Sequence, residues 1–127
     1  MQALADTSVF IARESGRRLA EADLPDELAI SVITIGELRA GVLAALDVST
    51  RDLRLATLTE ALQFDAVPID QHVADTWARL RLLLRDAGLR MPVNDSWIAA
   101  TAMTLGVPVV TQDDDYVDVS GLLVIHV

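Results

Sequence analysis

Apolar positions along this chain change their spacing several times, and each change marks a boundary between elements. The opening MQALAD is short and apolar and predicts a strand ending at Asp6. TSVFIARESG predicts a short helix, with Thr7 or Ser8 available to cap it, because a hydroxyl there accepts from a free first-turn amide. LAIS predicts a second strand. It is followed by VITIGELRAGVLAAL, in which Ile35, Leu38, Val42 and Leu46 recur at helical spacing. Residues 49–64 repeat apolar side chains at Leu55, Leu58 and Leu62 behind Ser49 or Thr50 as cap. DAVPID reads as a brief strand. The strongest helical pattern is residues 70–88, with Val73, Trp77, Leu80 and Leu84 on one face and Gly88 as its stop. A last helix is expected in VNDSWIAATAMTLG, with a proline before it, Asn94 or Asp95 as cap and Gly106 behind it. VPVVT and LLVIHV are apolar and β-branched and read as strands.

Strands that alternate with helices in this way predict a parallel sheet covered by helices on both faces, an α/β/α sandwich with right-handed crossovers. The 127 residues suffice for one domain, residues 1–127, with a core of its own. No apolar run approaches the ~20 residues of a membrane span, and the start lacks the basic and long apolar regions of a signal peptide. Cysteine is absent, which excludes disulfides and thiolate zinc sites and makes the cytoplasm the expected location.

Charge changes the picture more. Asp and Glu number 19 against 10 basic residues, every one of them arginine, for a net charge of −9. Without lysine there is no Schiff-base or phosphate-loop chemistry. Such acidity runs against a nucleic-acid partner, whose phosphates are held by cations.

The acids, however, fall at telling places. Asp6 ends the first strand, Asp113 and Asp115 follow VPVVT, Asp95 lies in the first turn of the last helix, and Glu37 sits early in an apolar helix. Each has an ordinary reading on its own: Asp6 and Asp95 as helix caps, the run 113–115 as a solvated turn. Together they stand beyond the carboxyl ends of parallel strands, where open α/β sheets bind ligands. Two carboxylates 4 Å apart at an effective dielectric of ~20 repel by roughly 4 kcal/mol. Such a group is tolerated when it takes up protons or a cation. All-oxygen ligands without cysteine suit a hard ion, Mg²⁺ or Mn²⁺, and the phosphoryl chemistry that such ions serve.

The stretches LADTSVFI, VITIGELRAG, VNDSWIAATA and VVTQDDDY together resemble, in order and spacing, the PIN-domain ribonucleases, and most closely the VapC toxins of bacterial toxin–antitoxin pairs. The likeness spans about residues 3 to 126. It implies a three-layer PIN-like domain with a mainly parallel central sheet, acting as an endoribonuclease with Mg²⁺ or Mn²⁺. The family's acids fall on Asp6, Glu37 and Asp95. The fourth falls on Asp113, with Asp115 as a supporting or alternative ligand. Thr7 or Ser8, together with Thr111, are expected to hydrogen-bond these acids, and Asp114 is the solvated member of the run. Tyr116 stands where the family pattern has Phe.

The resemblance also implies an RNA substrate of the transfer or ribosomal class, a homodimer built through helices, and a small VapB-type antitoxin whose C-terminal segment blocks the site. Bound metal and the arginines answer the objection from acidity, with Arg13, Arg39 and Arg79 as the candidates for phosphate contact; Arg17, Arg18, Arg81, Arg85 and Arg90 lie nearby in sequence. Arg79 and Arg81 cannot share one helix face. Trp77 and Trp97 read as core or interface, and neither His72 nor His126 is assigned to catalysis.

Other classes fail on particular residues. A receiver domain needs a lysine after its last strand, a haloacid-dehalogenase phosphatase needs Asp-x-Asp where residues 6–8 read Asp-Thr-Ser, and a calcium loop from Asp113 would need Gly and Glu where Asp118 and Val124 stand. The alternative that survives is a PIN-like protein that binds metal and a protein partner but cleaves little.

Overall fold

A computed structural model describes residues 2–127; Met1, at the head of the expected first strand, lies outside the described residues. The elements are β1 (Ala3–Ala5), α1 (Thr7–Glu14), a 3₁₀ turn (Glu21–Asp23), β2 (Leu28–Ser31), α2 (Val32–Ala44), α3 (Val48–Ala61), β3 (Asp65–Val67), α4 (Gln71–Ala87), α5 (Val93–Leu105), β4 (Val109–Thr111) and β5 (Val124–His126). The five strands form one sheet in the order β3-β2-β1-β4-β5, and every pairing is parallel. β1 is central. Chain order runs outward from it in both directions, so the crevice between β1 and β4 is the switch point of the sheet.

The pleat sorts side chains into two layers. Leu4, Ala29 and Val109 face the core beneath α4 and α5, with Val73, Leu80, Leu84, Ile98 and Ala102. Their neighbours Ala5 and Ile30 face the opposite way, against Phe10, Leu38, Val42, Leu58 and Ala61 from α1, α2 and α3. Successive residues of a strand point to opposite faces, so a strand three or four residues long serves both cores only if it is apolar throughout. LAIS and VVT meet it up to their last residues, with three buried residues each, and the polar ends are buried because they are paired: Ser31 Oγ accepts from Ile33 N and Thr111 Oγ1 donates to Asp6.

Five expectations about the helices need correction. α1 is capped by Asp6, whose Oδ1 accepts from Ser8 N at 3.1 Å, and not by Thr7 or Ser8. α3 is capped by Asp47, which accepts from Thr50 N at 2.8 Å, and not by Ser49 or Thr50. α2 stops at Ala44, so Leu46 is fully exposed and does not extend the apolar stripe. The buried stripe of α3 is Thr57, Leu58 and Ala61, which leaves Leu55 and Leu62 about half exposed. The fifth correction bears on function. α5 begins at Val93 behind Pro92, with no side-chain cap, so neither Asn94 nor Asp95 caps it. Proline suits the start of a helix, where its missing N–H costs nothing, and Asp95 is left with its carboxylate uncommitted.

Candidate metal centre

The carboxyl end of β1 delivers Asp6 into the switch-point crevice, 1% exposed. An ionised group so deeply buried needs donors, and it has three: Ser8 N at 3.1 Å and Ser8 Oγ at 2.5 Å on Oδ1, and Thr111 Oγ1 at 2.6 Å on Oδ2. The two hydroxyls are themselves anchored. Ser8 Oγ accepts from Gln112 N at 2.9 Å, and Thr111 Oγ1 accepts from Asp113 N at 2.9 Å. The start of α1 and the end of β4 are thus sewn together around one carboxylate. Burial still pushes Asp6 above the ordinary carboxylate range, opposed by the Ser8 and Thr111 hydrogen bonds, while the charge of Asp113 raises it further.

Glu37, on the second turn of α2, is half-buried. Thr7 Oγ1 lies 2.7 Å from its Oε1, to which it donates, and 3.0 Å from the buried Thr34 Oγ1. Of the two hydroxyls following Asp6, therefore, Ser8 serves Asp6 and Thr7 serves Glu37. Glu37 stands between two clefts. One is lined by Ile11, Glu14, Leu38, Gly41 and Arg54; the other runs toward Asn94 at the start of α5.

Asp95, Asp113 and Asp115 form the open side. Carboxylate oxygens of the three lie within 4.8 Å of one another, and no protein donor reaches any of them among the described residues. Asp95 shows the cost. Its carboxyl is pushed up to about 7, first by burial, then by the charges of Asp6, Asp115, Glu37 and Asp113. Asp113 is raised by burial and by Asp115, against the opposing charge of Arg17. Asp114 points away, fully exposed, 3.9 Å from His126.

Tyr116 closes the floor. Its ring is 8% exposed, and its Oη is the one buried side-chain polar atom without a hydrogen-bond partner among the described residues. It lies close enough to Asp6 to interact with that carboxylate, though not in a hydrogen bond of normal geometry. Burial and the charges of Asp6, Asp95 and Asp113 hold the phenol well above its ordinary range, so it stays neutral.

The structure therefore brings Asp6, Glu37, Asp95, Asp113 and Asp115 to one crevice, and Asp115 belongs with Asp95 and Asp113 to its tightest group. The arginines behave differently. Arg13 bonds Glu60 at 2.9 Å, Arg79 pairs with Asp75 at 3.2 Å on its own helix, and Arg39 is exposed on α2. Arg17 is the one whose charge acts on Asp113.

Sequence reasoning missed the support beneath Asp95. Trp77 Nε1 donates to Ser96 Oγ at 2.9 Å, and the Trp77 and Trp97 rings stack at 4.2 Å with planes 2° apart, with the Arg81 guanidinium 5.2 Å above the Trp77 ring. Periodicity placed both tryptophans in helices, but only the crossing of α4 on α5 makes them neighbours.

Comparison with known proteins agrees with this geometry. The family model described as the PIN domain matches residues 3–122. Ribonuclease VapC5 of Mycobacterium tuberculosis is 51% identical over 116 residues, covering 91% of this chain and 86% of that protein. Ribonuclease VapC4 of the same organism is 45% identical over 126 residues, covering 99% of this chain and 97% of that one. The crystal structure of a member of the VapBC family of toxin–antitoxin systems, VapBC-5 from Mycobacterium tuberculosis, superposes with a TM-score of 0.91 at 44% identity, covering 100% of both chains.

Proposed function

The chain belongs to the PIN-domain family, and from that premise we propose that it is a metal-dependent endoribonuclease, the toxin of a toxin–antitoxin pair. The observation that carries the metal is the trio Asp95, Asp113 and Asp115, convergent within 4.8 Å and without donors. Carboxylates so placed are stable together when a cation joins them, and an all-oxygen set selects a hard one, Mg²⁺ or Mn²⁺. The unpartnered Tyr116 hydroxyl beside the trio fits a hydrated ion as well.

These residues divide the work. Asp95, Asp113 and Asp115 would hold the ion. Asp6, tied by three hydrogen bonds, fixes the negative field behind them, and Glu37, held by Thr7, closes the side toward α2. A divalent ion bound there supplies Lewis acidity toward a phosphodiester and activation of water. The chain's own acids keep that region anionic and open to solvent at Asp115, so the scissile RNA phosphate is excluded until the cation offsets their charge. Arg17, beside Asp113, is placed to meet a phosphate of the same strand. Arg13, Arg39 and Arg79 are further candidates, with Arg13 and Arg79 needing release from Glu60 and Asp75.

The substrate is RNA of the transfer or ribosomal class, met in the cytoplasm. The regulating partner is a small basic VapB-type antitoxin, complementary to a chain of net charge −9. No helix among the described residues is long and apolar enough to cross a membrane. Exposed Leu43, Leu46, Val48 and Leu53, around the junction of α2 and α3, offer apolar surface for that partner or for a second copy in a homodimer. A binding module with little nuclease activity is the weaker reading, because no acid of the set has been lost.

The test incubates antitoxin-free protein with total bacterial RNA in Mg²⁺, Mn²⁺ or EDTA, beside Asp113→Asn. Discrete cleavage that requires metal and Asp113 is expected. Cleavage that persists in EDTA would overturn the metal reading, and an inert, folded wild type that still binds Mn²⁺ would favour the binding module.

A further inference from the structure

The hydrogen-bond inventory around Asp6 is complete at every hydroxyl but one. Ser8, Thr7 and Thr111 each have a carboxylate to donate to, and Ser8 and Thr111 each accept a backbone amide as well. Tyr116 Oη makes no hydrogen bond of normal geometry, although it is buried and close enough to Asp6 to interact with that carboxylate. Leaving a buried hydroxyl unpaired is unfavourable, and Phe would fill the same space without the penalty. Asp6, meanwhile, accepts three hydrogen bonds where a carboxylate has about four lone-pair sites. One acceptor site on Asp6 and one hydroxyl beside it are both unused.

We infer that Tyr116 is a positioning residue of the metal centre: Oη accepts from a water of the cation's hydration shell and donates to the unused site on Asp6. The inference rests on the metal reading above. A hydroxyl can accept and donate at once, and Tyr116 Oη is the buried side-chain polar atom left without a partner among the described residues.

Tyr116→Phe tests this without disturbing the packing, since the ring is kept. Mn²⁺ binding to full-length, antitoxin-free protein would be followed by electron paramagnetic resonance or calorimetry, and thermal unfolding would be recorded in EDTA. The variant is expected to bind Mn²⁺ about three- to tenfold more weakly, the worth of one ordinary hydrogen bond. Its Tm in EDTA should equal or exceed that of the wild type, because the unpaired hydroxyl has gone. Equal Mn²⁺ affinity in the two proteins would overturn the inference and leave the metal reading standing. A variant whose Tm in EDTA falls by several degrees would also overturn it, since the hydroxyl would then have a structural partner. No Mn²⁺ binding by the wild type would overturn the metal reading and this inference with it.

Discussion

Asp95→Asn should stabilise the metal-free protein while destroying its activity. In the folded chain the Asp95 carboxyl titrates at about 7, against an ordinary value of 3.8. Between those values the native state binds a proton that the unfolded chain does not. Stability therefore falls as pH rises through that window, and the penalty is complete above it. A rise of this size corresponds to roughly 4 kcal/mol at 1.36 kcal/mol per pH unit. Asp95 is only half-buried, however, and solvent screening reduces this to about 2 kcal/mol. Asparagine keeps the shape and removes the charge. Denaturation in EDTA at pH 8 should thus show the variant more stable by about 2 kcal/mol, or roughly 5–10 °C in Tm for a domain of this size. At pH 4 the two proteins should coincide, because the wild-type carboxyl is then protonated. With Mn²⁺ at a hundred times its Kd the wild type gains about 2.7 kcal/mol and the variant much less, which reverses the order. A variant no more stable than wild type at pH 8 in EDTA, or one whose advantage persists at pH 4, would refute the claim that burial and the neighbouring acids together destabilise the ionised Asp95 carboxylate.

Trp77→Phe removes the donor to Ser96 and weakens the ring stack, and should cost about 1–2 kcal/mol in urea denaturation at every pH. Ile98→Ala, at a fully buried position between α5 and the sheet, should cost about 2–5 kcal/mol by the same method. Arg13→Ala, which breaks a solvent-exposed pair with Glu60, should change stability by less than about 1 kcal/mol; a weaker KM for RNA with unchanged kcat would mark the arginine as a phosphate contact. End mapping of cleaved RNA should give 5′-phosphate and 3′-hydroxyl termini, and a 2′,3′-cyclic phosphate would show that the RNA's own 2′-hydroxyl attacks.

The fold was largely legible because its three central strands, β1, β2 and β4, are buried on both faces. A continuous apolar run such as VPVV has no competing reading once it is three or four residues long and bounded by Gly106 and the aspartates. The helix ends were less legible, for a local reason. DTS at residues 6–8 and DVST at 47–50 each offer two or more capping side chains in a row. Only the backbone dihedrals decide which residue stands at the boundary: Asp6 and Asp47 are extended, and the hydroxyls after them are already helical. The same ambiguity concealed the condition of Asp95. As a cap it would have had a donor; as the third residue of a helix begun by Pro92 it has none.

The roles of the acids follow from that difference, and sequence spacing does not reveal them. Position along the chain treats Asp6, Glu37, Asp95 and Asp113 as equivalent members of one set, with Asp115 as a reserve. Hydrogen bonding separates them. Asp6 accepts from three donors and Glu37 from one, whereas Asp95, Asp113 and Asp115 accept from none and crowd within 4.8 Å of one another. A carboxylate already satisfied by hydroxyls gains less from a cation than one that only repels its neighbours. The ion should therefore draw its affinity mainly from the unsatisfied trio, and Asp115 belongs with the ligands. On this argument Asp115→Asn should weaken Mn²⁺ binding at least as much as Ser8→Ala. The opposite order would mean that the hydroxyl scaffold around Asp6, more than the exposed carboxylates, sets the affinity of the centre.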